Sequence, residues 1–181
     1  QKKDITEDTV WTETYADGQT GYEILAERTV EQLKYIHAVY DLAKEKGYIQ
    51  DATFAGMKHR MEQENMQRSE KVARGEAVYG LKEYTLDLYQ EYELSMIEEA
   101  YILDETNEGM GLTEEEIEAY YNTRDWIVGE DARKADLSEA RAAVIDEMRR
   151  NRYQELTEQK AAVAEVDGDM DQLSQFTLKQ L

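Results

Sequence analysis

The sequence predicts an all-α, mainly helical fold of four to five long helices. Three observations predict it. None of the 181 residues is proline, where average usage of about 5% would give roughly nine, so no ring breaks a helical hydrogen-bond ladder. Apolar residues recur at intervals of three and four along most of the chain. Cap signatures bracket those runs, with Thr or Asp before them and glycine after. The length fits one domain, read as residues 1–181 with an extended segment over 1–20 and an extension over 167–181.

Taken in order, residues 1–20 are polar, and Val10, Trp11 and Tyr15 precede Asp17-Gly18, a turn signal that fits a short extended segment. Thr20 is placed to cap a first helix starting near Gly21. Its apolar positions are Tyr22, Leu25, Val30, Leu33, Ile36, Tyr40 and Ala43. Lys44, Lys46 and Gly47 form its C-terminal signature. Asp51 is the expected N-cap of a second helix, with Phe54, Met57, Met61 and Met66 on its apolar side and a very polar run beyond Met61 to about Arg74-Gly75. Residues 77–80 read as a link. Thr85 caps a third helix to about Glu105, whose dense stripe is Leu88, Tyr89, Tyr92, Met96, Ala100 and Leu103. After a loop over 104–111, Thr113 and Glu116 make a capping box for a short helix ending near Asn122. Residues 124–134 read as irregular around Trp126, Ile127 and Val128. Asp136 or Ser138 opens the last long helix, which runs to about Ala162 on Leu137, Ala140, Val144, Met148, Tyr153 and Leu156. Val163 and Val166 suit a strand, and Leu173, Phe176 and Leu181 a final amphipathic turn or helix.

Composition excludes several function classes. Lys and Arg number 21 against 41 Asp and Glu, a formal net charge of 21 − 41 = −20. DNA, RNA and anionic membrane surfaces would repel such a chain. The absence of cysteine removes disulfides, thiolate nucleophiles and cysteine-ligated metal from this chain. No apolar stretch is long enough to span a bilayer, so no direct membrane insertion is expected. The start Gln1-Lys2-Lys3-Asp4 reads as a processed or trimmed product.

The two histidines, His37 and His59, do not sit in Glu-x-x-His or His-Glu-x-x-His, so a di-iron bundle or a zinc protease is disfavoured. Calcium is one alternative. Asp104, Thr106, Glu108, Gly109 and Glu115 fall at positions 1, 3, 5, 6 and 12 of an EF-hand loop. Thr106 is a weak ligand there, and Gly111 stands where a branched apolar residue is usual. Asp167, Asp169 and Asp171 alternate, but without the required Gly and Glu. Solvated acidic loops explain both stretches. Serine-nucleophile motifs and phosphate or dinucleotide loops are absent, and 41 acids make chance carboxylate pairs uninformative about glycosidase chemistry. The chain therefore reads as non-catalytic, with no cofactor. The basic island Arg149-Arg150-Asn151-Arg152 is expected to pair within the molecule, in part with Glu147 and Glu155 of its own helix. Tyr89, Tyr92, Met96, Tyr101, Tyr120, Tyr121 and Trp126 are core or, alternatively, an adaptable client-binding cleft.

The order of these signals resembles the N-terminal chaperone domain of the SurA and PrsA foldases over roughly residues 10–167. The residues that carry the resemblance are Tyr15-Ala16-Asp17-Gly18-Gln19-Thr20 before a helix and Leu112-Thr113-Glu114-Glu115-Glu116-Ile117-Glu118-Ala119-Tyr120-Tyr121. A closing helix from Ala140-Arg141 to Leu156, followed by Ala161-Ala162-Val163-Ala164-Glu165-Val166, completes the likeness. The resemblance implies one short two-stranded pairing of the N- and C-terminal segments. In the family a parvulin prolyl-isomerase domain usually follows the Tyr-Tyr helix. Here only Asn122 to Asp136 intervenes, far too little for a domain. The implied function is a non-catalytic, extracytoplasmic, peptide-binding module for unfolded or extended polypeptide, made as a secreted protein or a cell-surface lipoprotein. The alternatives are an oligomerising lipoprotein interaction domain, such as a homodimer, and a calcium-binding helical protein.

Overall fold

The computed structural model describes residues 10–15, 18–129 and 132–180. The fold is mainly helical. Among the described residues the order is α1 (Gly21–Glu45), α2 (Phe54–Ala73), α3 (Leu86–Leu103), α4 (Glu114–Tyr121), β1 (Ile127–Val128), β2 (Arg133–Lys134), α5 (Leu137–Val163) and α6 (Met170–Gln180). None of these helices is long and apolar enough to cross a membrane. The chain divides into two compact units, residues 1–38 with 159–181, and residues 39–158.

In the first unit the opening segment folds back on itself. Thr14 forms an antiparallel bridge with Thr20, the Tyr15 N–H donates to the Gln19 carbonyl at 2.9 Å, and Gly18 takes a φ of +88° that glycine adopts freely. Ala16 and Asp17, the front of the expected turn, lie outside the described residues, as does Leu181. The Glu23 carboxylate accepts both the N–H and the hydroxyl of Thr20 at 2.7 Å, which fixes the start of α1. The expected pairing of the chain's two ends is not what the described residues form. Helix α5 continues through Val163, and residues 164–169 are neither helix nor strand. The two-stranded pairing is β1 with β2 instead, Ile127 opposite Lys134 and Val128 opposite Arg133. Gly129, at φ +75°, turns the chain there, so the segment read as irregular is a hairpin.

Two apolar clusters lie among the described residues of the second unit. One joins α4, the hairpin and the first half of α5 through Ile117, Trp126, Ala135, Ala140, Val144 and Met148. The other joins Leu42 of α1, Tyr101 and Ile102 of α3, Met110 of the following loop and Tyr153 of α5. Helix starts follow local cap chemistry. The Thr113 hydroxyl and Glu116 carboxylate make the capping box of α4, and the Asp136 carboxylate accepts the Glu139 N–H at 3.0 Å at the start of α5. For α2 the cap is Thr53, whose hydroxyl accepts the Gly56 N–H at 3.1 Å. Asp51, the expected cap, instead accepts the Thr53 N–H at 2.9 Å and shapes the turn just before.

Candidate interaction site

The polar half of α2, whose purpose was not legible in sequence, organises the second unit. The Arg60 guanidinium clasps the Glu93 carboxylate of α3 through Nε at 2.6 Å and Nη2 at 2.9 Å, and donates from Nη1 to the Asp51 carbonyl at 2.6 Å. Glu93 is only 7% exposed. A lone buried carboxylate would be costly, but one held bidentate by arginine is tolerated. The Tyr89 hydroxyl also donates to Glu93, at 3.2 Å, and Arg60 lies over the Tyr40 ring of α1. Burial pushes the Tyr40 and Tyr89 phenols well above their ordinary values, and the Glu93 charge adds to it. Further along α2, Asn65 reads the backbone of Tyr84 in both directions, at 2.8 and 2.9 Å. Arg68 donates to the carbonyls of Tyr79 and Leu81 at 3.0 and 2.6 Å and stacks on the Tyr84 ring. These polar side chains tie down the α2–α3 link, whose apolar Tyr79 and Leu81 stay exposed.

Of the seven residues proposed from sequence as one cleft, six fall into three places, and Met96 stands exposed on α3. Tyr89 and Tyr92 belong to an aromatic group with Tyr84 at the start of α3; Tyr84 and Tyr92 stack with centroids 5.0 Å apart. Tyr101, 1% exposed, is a core residue against Tyr153. Tyr120, Tyr121 and Trp126 pack with the α4–hairpin–α5 cluster. There the Tyr121 hydroxyl donates to the Ala135 carbonyl at 2.8 Å and the Trp126 indole to the Tyr121 carbonyl at 3.1 Å. The Tyr120 hydroxyl donates to Glu147 at 2.8 Å. Tyr92 and Met96 are the two of the seven that are exposed.

The basic island pairs within the molecule, as expected, but not with Glu147 or Glu155. Arg149 binds Glu105 at 2.6 Å and the Met110 carbonyl at 3.0 Å. Arg150 gathers Glu98 at 2.7 Å, Asp146 at 2.9 Å and Glu99. Arg152 binds Glu116 at 2.6 Å and the Gly109 carbonyl at 2.9 Å. Asn151 donates to the Tyr120 hydroxyl at 2.8 Å, while Glu147 pairs with Arg124. One side of α5 thus holds α3, the α3–α4 loop and α4.

The loop weighed as a calcium site is closed by its own hydrogen bonds. The Asp104 carboxylate accepts both the N–H and the hydroxyl of Thr106, at 2.9 and 2.6 Å, and these bonds hold it below the usual carboxylate range. Glu108 and Glu115 are exposed. Buried Asn107 donates to the Tyr101 carbonyl and the Tyr48 hydroxyl, both at 2.9 Å. Among the described residues no three His, Asp or Glu side chains gather closely enough to hold a metal ion. His37 and His59 lie on exposed helix surface.

No protein-family model matches the chain. It is 36% identical over 166 residues to a protein of Bifidobacterium longum subsp. longum named a chaperone for lacto-N-biosidase. The matched stretch covers 91% of this chain and 59% of that relative's length. Its fold is similar to part of the crystal structure of the GH136 lacto-N-biosidase of Eubacterium ramulus, at a TM-score of 0.60 and 18% identity. That match covers 81% of this chain and 29% of the other.

Proposed function

We propose that this chain is a non-catalytic chaperone module dedicated to a glycoside hydrolase of the lacto-N-biosidase kind. The observation that carries the reading is the 36% identity, over 91% of the chain, with a protein named a chaperone for that enzyme. The architecture is compatible with it. The buried carboxylate Glu93 is neutralised by Arg60, which suits a structural role better than acid–base chemistry. Apolar side chains on the α3 surface are left open to solvent. A partner of defined sequence fits this arrangement better than the generic unfolded peptide implied by the SurA and PrsA resemblance, because six of the seven sequence-proposed cleft residues are spread over three places. An extracytoplasmic site of action, on the cell surface or secreted, belongs to the same reading.

The test is recovery of lacto-N-biosidase activity after dilution from denaturant, with and without equimolar chain. A severalfold gain in recovered activity is expected, and an unrelated acidic helical protein should give none. Equal recovery in both would refute the reading. A parallel assay with an unrelated aggregating client separates a dedicated chaperone, which leaves it unprotected, from a general one.

A further inference from the structure

Helix α3 presents an outward apolar stripe that stays open to solvent, although Tyr92 within it also stacks on Tyr84. Leu88, Tyr92, Met96 and Leu103 are 39%, 36%, 51% and 70% exposed. At 100° per residue they fall within an arc of about 80°, along roughly 22 Å of helix. Buried residues border it on both sides, Tyr89, Glu93, Ile97 and Tyr101 on one, anchored by Arg60 and Tyr153, and Ile102 on the other. The stripe is therefore held rigid from behind. Scattered exposed apolar residues are ordinary, but an aligned row on one helix makes a patch. Along α3 itself the charge has a single sign, although Arg68 of α2, over the Tyr84 ring, lies near Tyr92. Between Leu86 and Leu103 there are five acids, Asp87, Glu91, Glu93, Glu98 and Glu99, and no Lys, Arg or His. Arg60 and Arg150 take up Glu93, Glu98 and Glu99. Asp87 and Glu91 have no ion-pair partner among the described residues, and both lie along one side of the N-terminal end of the stripe.

We infer that this stripe is the docking surface for a client segment that presents apolar side chains flanked by lysine or arginine. The identity of the client rests on the function proposed above; the chemistry of the segment rests on α3 alone. Charge complementarity selects that occupant, because opposite charges at the rim speed encounter and fix register. A second copy of this chain would bring the same acids to the same edge and be repelled.

The experiment compares the unaltered chain with Met96→Lys/Leu103→Lys and with Gln154→Lys, a control on the exposed side of α5. Circular dichroism checks that all three fold alike. In the first arm, a synthetic amphipathic leucine–lysine peptide and its leucine–glutamate counterpart are titrated in. The leucine–lysine peptide should bind the unaltered chain and Gln154→Lys about equally, and Met96→Lys/Leu103→Lys about tenfold or more weakly, with affinity falling as salt rises. The leucine–glutamate peptide should not bind. Equal binding by all three variants, or by both peptides, would overturn the inference whatever the client. In the second arm the same variants assist lacto-N-biosidase refolding. Loss of assistance only in the double variant supports the docking surface; full assistance by the double variant overturns it and leaves the proposed function standing. No assistance by the unaltered chain removes the proposed function, and the peptide arm then decides the inference alone. Sedimentation showing that the unaltered chain dimerises and the double variant does not would assign the stripe to self-association and also overturn the inference.

Discussion

At the scale of single residues, the Arg60–Glu93 pair joins the two helices of the α2–α3 hairpin. Removing one partner leaves the other buried and uncompensated, so Glu93→Ala should cost about 3 kcal/mol in urea unfolding. Arg60→Met/Glu93→Leu should cost less than either single change, because an apolar pair leaves no orphaned charge. Gly56 is a second sensitive position. A Cβ there would lie 2.6 Å from the Asp51 side chain and 2.8 Å from the Asp51 carbonyl. That carbonyl is held by Arg60, so it cannot move away freely. Gly56→Ala should therefore destabilise by about 1–3 kcal/mol, although alanine normally favours helix; a gain in midpoint denaturant concentration would contradict the close approach. Neither position was legible in the sequence. Arg60 and Glu93 lie 33 residues apart and look like any solvated charges on two helices, and nothing in the spacing around Gly56 points to the Asp51 carbonyl.

At the scale of elements, the helix positions were legible because spacing and caps are local. The capping box of α4 was visible outright, since Thr and Glu three residues apart before an apolar run have one strong joint use. The cap of α2 was misplaced by two residues because Asp51 and Thr53 are both good caps, and only the fold shows which hydroxyl or carboxylate reaches an N–H inside the helix. The Glu116 carboxylate supplies a pH test of the box. The Thr113 N–H, and then Arg152, hold it below its ordinary value of 4.5. A depressed carboxylate contributes stability that is present above its unfolded value and lost as pH falls through its folded one. The unaltered chain should thus melt above Glu116→Gln at neutral pH, with the gap closing as pH falls below about 4.5. A gap that widened toward acid would contradict the assigned geometry. The purpose of polar α2 stayed hidden because Asn65 and Arg68 bind backbone carbonyls and an N–H of the following link, and main-chain partners leave no trace in residue spacing.

At the scale of the whole molecule, the formal charge of −20 sets two effects against each other when salt is added. Screening weakens the surface ion pairs, and it also relieves repulsion among the excess acids. Exposed pairs are worth little each, while the half-buried Arg60, Arg149 and Arg150 contacts are screened least. Relief of repulsion should win, so the melting temperature should rise between about 0.02 and 0.5 M salt; a fall would show that the exposed pairs matter more than their geometry implies. The charge balance, the helical class and the inward pairing of Arg149, Arg150 and Arg152 were all readable from composition and order. Their partners Glu98, Glu99 and Glu105 were not, because spacing along one helix shows only neighbours on that helix. Those partners also carry a consequence in time. Glu98 precedes Arg150 by 52 residues, which corresponds to roughly 3–10 s of chain synthesis at about 5–20 residues per second. Over that interval the acids of α3, and the face that Tyr153 will cover, wait without their counterparts. The second unit can close only when most of α5 has been made, so a nascent chain truncated before Arg149 should stay open to protease where the finished one resists.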